Sequence, residues 1–176
     1  MGLLDAYPDT YLPRDPLGAL VGIDIVHREI HLGNHYTCGT YESIDAGSTL
    51  SMLITAPATA TAIIHLTASL FADGAGVMTF SEAPNASAGT ALVAYNNDRT
   101  SDNTTSVVAT KDPTYASSGT VMVETHIGIL TPNRNLGGET EGRHEWKLAD
   151  STLYLIRFTA DGASCRTSIT ATWYEE

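Results

Sequence analysis

Apolar and polar residues alternate along much of this chain. In Thr61–Phe71 the even positions are Ala62, Ile64, Leu66, Ala68 and Leu70, while Thr61, His65, Thr67 and Ser69 hold most odd ones. Side chains on a strand point alternately to its two faces, so this segment buries one side and wets the other. Thr120–Leu130 repeats the pattern, with Val121, Val123, Ile127 and Ile129 opposed to Glu124 and His126. Ser168–Tyr174 does so again, setting Ile169, Ala171 and Trp173 against Ser168, Thr170 and Thr172. Half-buried antiparallel strands are expected, because strands of a parallel sheet are apolar on both faces.

Turn signals cut the rest of the chain into similar pieces. Gly33-Asn34 and Asp45-Ala46-Gly47 separate Ile23–Leu32, His35–Glu42 and Ser48–Ala56. Val77–Glu82, Ala91–Tyr95, Val107–Thr110, His144–Leu148, Thr152–Ala160 and Arg166–Tyr174 complete the set, and Pro84–Gly89 reads as a loop. Asn96–Thr105 is a polar excursion with no apolar anchor, and Thr131–Gly142 is a second exposed loop. Residues 1–22 differ from the rest. Pro8, Pro13 and Pro16 punctuate Tyr7, Tyr11, Leu12 and Leu17, which predicts an extended arm. About ten short strands at spacings of about ten residues predict an all-β, antiparallel two-sheet jelly-roll-like β-sandwich over residues 23–176, preceded by that arm.

Composition narrows the function. The 176 residues carry nine Lys+Arg against 20 Asp+Glu, a formal charge of −11. Nucleic acid and anionic membrane surfaces are therefore not expected as partners, since affinity for phosphate comes from cationic side chains. No apolar run is long enough to span a bilayer. The start, Met1-Gly2-Leu3-Leu4-Asp5, has neither the basic region nor the apolar core of a signal peptide, and Ala6 breaks the myristoylation pattern. The sequons at Asn85 and Asn103 mean little without a secretory route. Cys38 and Cys165 could pair only if the fold joins first and last strands, and two free buried thiols are expected.

The strongest catalytic lure is His27-Arg28-Glu29-Ile30-His31. On a helix its two histidines would share a face and could clamp a metal, as the histidines of a zincin do, but the glutamate stands one position late for that motif. The β-branched neighbours Ile23, Ile25, Val26 and Ile30 favour a strand, on which four residues span roughly 13 Å, too far for one coordination sphere. His27, His31, His65 and His126 do not offer the closely spaced pair of a cupin, and His65 and His126 fall on polar strand faces as solvated or capped groups. No Gly-x-Ser-x-Gly occurs, and Gly74 and Gly76 lie in a hairpin turn rather than a phosphate loop. Asp98 and Asp102 with Asn96, Asn97 and Asn103 lack the spacing of an EF-hand. Tyr95, Tyr115, Trp146 and Tyr174 are candidate sugar-stacking aromatics, while Trp173 reads as core. No catalytic residue, metal or cofactor is expected.

Three stretches give the chain a family likeness. They are Tyr95-Asn96-Asn97-Asp98-Arg99 with its Ser/Thr/Asn continuation, Glu145-Trp146-Lys147-Leu148 followed by Leu153–Thr159, and the ending Ile169–Glu175. In these the chain resembles the jelly-roll decoration, or cement, proteins on the capsids of tailed bacteriophages, and the arm is consistent with those that such proteins lay across neighbours. The resemblance implies a non-enzymatic virion protein, made in the host cytoplasm and mounted on the outer capsid surface. Its partners would be the major capsid protein and itself, as a dimer or trimer. Tyr7, Tyr11, Leu12 and Leu17 would make capsid or subunit contacts, and Asn96, Asn97, Asp98 and Arg99 would form an exposed binding loop. A surface rich in Thr, Ser and Ala and poor in Lys suits packed contacts on independent grounds, because fixing long charged side chains costs rotamer freedom. The alternatives are a receptor- or glycan-binding head-fibre or tail module using the two polar loops, and a cupin-like metalloenzyme at His27, Glu29 and His31.

Overall fold

The computed structural model describes residues 24–58, 62–87, 89–128, 138–139 and 145–176. The arm residues Tyr7, Tyr11, Leu12 and Leu17 lie outside them. Among the described residues the chain runs α1 (Ile25–His31), β1 (His35–Ile44), β2 (Thr49–Thr55), β3 (Ile64–Ala72), β4 (Gly76–Glu82), β5 (Asn85–Ser87), β6 (Thr90–Ala91) and β7 (Tyr95–Asn96). It continues through β8 (Val108–Lys111), β9 (Thr114–Ser117), β10 (Thr120–Ile127), β11 (Gly138–Glu139), β12 (Trp146–Lys147), β13 (Leu153–Ala160) and β14 (Cys165–Glu175).

The strands form an antiparallel two-sheet β-sandwich. Sheet one has the order β11-β3-β14-β1-β7, with β12 also on β3, and sheet two the order β10-β4-β13-β2-β8-β6. A small ribbon pairs β5 with β9. The eight principal strands pair in nested fashion: β1 with β14, β2 with β13, β3 with β12, and β4 with β10. The core lies between the sheets. Leu50, Met52, Ile54, Phe80, Ile156 and Phe158 of sheet two meet Leu66, Leu70, Ile169, Ala171 and Trp173 of sheet one. These are the apolar positions that alternation assigns to the inner faces of β3 and β14. Phe80 packs edge-on against Trp146 and stacks with Tyr154.

Three expectations need correction. Residues 25–31 form a helix, not a strand. Local bonding overrides the β-branched propensity here. The Asp24 side chain caps the Val26 amide at 3.1 Å, and the buried Glu29 carboxylate receives Arg28 and Asn34. The helix ends in a Schellman turn, with Asn34 N–H on Glu29 O, Gly33 N–H on Ile30 O, and Gly33 at φ +72°. Second, β10 carries an irregularity between Val121 and Val123, which leaves Val121 exposed while Val123 is half-buried against the core. Third, the loop expected at Pro84–Gly89 contains β5, which pairs with β9, a strand the alternation did not mark. The fold does join first and last strands, yet Cys38 lies opposite Ala171 and Cys165 opposite Ile44, so both thiols are buried and free.

Candidate functional site

Two regions stand out. The first is a polar corner where the end of α1, the start of β1, the 97–107 loop and the end of β14 meet. Asn96 and Asn103 pin the loop to the helix turn: the Asn96 amide donates to Gly33 O at 2.8 Å and the Asn103 amide to Leu32 O at 3.2 Å. Gly33 O also accepts from the Tyr36 hydroxyl. A side chain at Gly33 would collide with Ser101, so the loop sits directly on the glycine. The Asn97 side chain meets His35 Nδ1 at 2.6 Å, and burial lowers the His35 pKa against a smaller opposing pull from Glu29. Asp98 accepts from the Thr100 amide and hydroxyl, which hold its carboxyl below the ordinary value, with His31 a lesser cause. The Arg99 guanidinium lies over the Tyr95 ring.

Glu175 closes this corner. Its carboxylate accepts from the Thr105 hydroxyl, from the Ser106 amide at 3.0 Å and hydroxyl at 2.8 Å, and from Trp173 Nε1 at 3.3 Å. The excursion predicted to have no apolar anchor thus has a polar one. Two cavities flank it. One of about 280 Å³ is lined by Tyr36, Leu92, Asn96, Asn103, Thr105 and Ala109. The other, of about 550 Å³, is lined by Asn34, Ala62, Asp102, Asn103, Glu175 and Glu176. Among the described residues no three His, Cys, Asp or Glu side chains converge as metal ligands.

The second region is the outer face of sheet one. Strand register sets three ranks across β1, β14 and β3: Thr37–Thr172–Thr67, Gly39–Thr170–Ser69, and Tyr41–Ser168–Phe71. Tyr95 of β7 extends the first rank beside Thr37. No charged side chain interrupts these nine positions, though the chain carries −11 overall. Tyr41 is 65% exposed, Phe71 47% and Tyr95 57%, so three large rings at the border of this block lie open to water. Charge returns at both ends of the block. At one end Arg166 Nε bonds Asp73 at 2.8 Å, which lowers the Asp73 pKa. At the other, His65 stacks on Tyr174 with centroids 4.6 Å apart, and both bond Glu145 at 2.5 Å. The Tyr174 hydroxyl first, and His65 after it, hold the Glu145 carboxyl low, while burial and Glu145 push Tyr174 up.

Of the residues singled out from sequence, Asn96, Asn97, Asp98 and Arg99 come together in the corner. Of the aromatic candidates, Tyr95 is exposed, Tyr174 is buried and Trp146 packs against the core. Glu175 and Asn103 were missed as organisers. Glu175 did leave a signal: alternation puts it on the same face of β14 as Ile169, Ala171 and Trp173, and an acid on a buried face requires donors. The chain matches no family model, no curated protein and no solved structure.

Proposed function

We propose that this is a structural virion protein, a decoration or cement protein that fastens to the major capsid shell and to copies of itself. The uncharged Thr/Ser/Gly block on the outer face of sheet one, with Tyr41, Phe71 and Tyr95 exposed on it, is the observation that carries this reading. Short side chains lose little rotamer freedom when an interface forms, and exposed aromatic rings are the usual anchors of one. On a chain of −11 net charge, a neutral block is also where a second acidic surface meets least repulsion. The nested pairing of eight strands supports the family likeness, because it is the order obtained when two Greek keys roll into a jelly roll. Binding only the assembled shell would stabilise that shell by mass action.

Co-sedimentation of purified protein with assembled shells of the virus that encodes it tests this reading. Wild type should pellet with shells, and Tyr41→Arg/Phe71→Arg should stay in the supernatant with an unchanged melting temperature. A wild-type protein that ignores shells ends the proposal. A second reading, a glycan- or receptor-binding module, draws on the two cavities beside the amide-rich corner. It predicts sugar binding that Asn96→Ala and Asn103→Ala abolish and that the sheet-one variant leaves intact.

A further inference from the structure

The α1 helix places His27 and His31 one turn apart on a solvent-facing side, with their Nε2 atoms 3.0 Å apart and ring centroids 4.6 Å apart. The nitrogens are closer than the ring centres, so the Nε2 edges of the two imidazoles face each other. We infer that His27 and His31 form a two-imidazole chelate for a divalent transition metal. It is independent of any role for the sheet-one face.

Geometry indicates the kind of metal. An ion about 2.05 Å from each nitrogen would subtend about 94° at this separation, whereas a tetrahedral angle needs the nitrogens about 3.3 Å apart. Adjacent corners of a tetragonal or octahedral ion fit the pair as it stands, which favours Cu(II) and Ni(II) over Zn(II). The general ranking of affinities for nitrogen ligands likewise puts Cu(II) above Zn(II). Both side chains are exposed, so binding requires no rearrangement of the core. Ligation of one ion by the pair requires both Nε2 atoms to be unprotonated, each neutral ring then carrying its proton on Nδ1.

Glu29, which the sequence places between the histidines, takes no part. It is only 1% exposed, and its carboxylate is taken by Arg28 and Asn34. No third His, Cys, Asp or Glu among the described residues completes a cluster with the pair. Among the described residues the pair supplies two donors, and the remaining coordination positions are open to water or another ligand. That distinguishes the site from the enclosed His/Glu centre of a cupin.

The test uses the full chain without an affinity tag, titrated with Cu(II), Ni(II) and Zn(II) by calorimetry. Wild type should bind one equivalent, Cu(II) and Ni(II) more tightly than Zn(II). His27→Ala and His31→Ala should each weaken binding by about a hundredfold or more, because the second bond of a chelate forms at high effective concentration. His126→Ala removes an exposed imidazole that faces Glu124 rather than a second histidine, and should change nothing. Electron paramagnetic resonance of the Cu(II) protein supplies a second readout, with splitting from two nitrogens in wild type and from one in either variant. Equal affinity in His27→Ala, His31→Ala and wild type overturns the inference, as does wild-type affinity no greater than that of a single imidazole.

Discussion

The outer faces of the two sheets have opposite fates. On sheet two, Leu53 and Leu155 are 4% and 0% exposed although they point away from the central core, and Ser51, Thr79 and Ser81 beside them are also buried. The chain's own 112–118 segment is tied to that side. Asp112 exchanges bonds with the Ser51 backbone, while Arg157 donates to Tyr115 and Ser118 and lies beneath the Tyr115 ring. On sheet one the matching outward positions carry Tyr41 and Phe71 with about half or more of their surface in water. The contrast separates two uses of outward apolar residues. Those on sheet two are satisfied within the molecule and act on stability. Those on sheet one lie open to water, and the proposal above assigns them to association.

That separation should be visible in unfolding. Leu155→Ala empties a fully buried site and should cost about 2–4 kcal/mol in denaturant titrations, whereas Phe71→Ala should stay within about 0.5 kcal/mol of wild type. Comparable losses would mean that sheet one's outer face is also structural. Glu175→Ala comes next. It strips the acceptor from Thr105, Ser106 and Trp173 and should cost roughly 1–3 kcal/mol. Hydrogen exchange should then quicken across residues 98–106 while β13 keeps its protection, and uniform loss of protection would show that corner and body form one cooperative unit.

The smallest effect is on pH. Asp73, held low by Arg166, and Glu145, held low by Tyr174 and His65, bracket the uncharged block. Each carboxyl sits lower in the folded chain than in the unfolded one. Its stabilisation is therefore present above the ordinary carboxylate value of about 4 and is lost as pH falls through the lower folded value. Melting temperatures should dip as pH falls through about 6.5, where protonation favours the unfolded chain because burial lowers the His35 pKa, and decline further below about 4; Asp73→Asn with Glu145→Gln should flatten the lower decline. An unaltered acid limb in the double variant would assign it to other carboxyls.

Alternation made the sandwich legible because burial on one face imposes a period of two, and Ile64, Leu66, Leu70, Ile169, Ala171 and Trp173 all lie where that period puts them. The covering of sheet two was also written in the sequence, as the unbroken run Leu153-Tyr154-Leu155-Ile156, apolar on both faces. Helix α1 was not legible from propensity. Its residues favour a strand, and it depends on an aspartate cap, a buried glutamate and a glycine turn, whose joint effect exists only once the loop packs on Gly33. The corner was half legible. Its amide-rich loop was evident by composition, but the register bringing Asn103 to Leu32 is a tertiary fact that no local pattern encodes.

The nested pairing has a consequence for how the molecule is made. β14 lies between β1 and β3 and bonds to both along nearly its whole length. A ribosome that has not yet released residues 165–175 therefore holds a chain whose two earliest sheet-one strands have no neighbour in common. Such an intermediate leaves open the two edges that β14 covers, one on β1 and one on β3, and cannot close its core. Assembly of the sandwich is thus a late, all-at-once event dominated by contacts distant in sequence, and slow folding is the expected result.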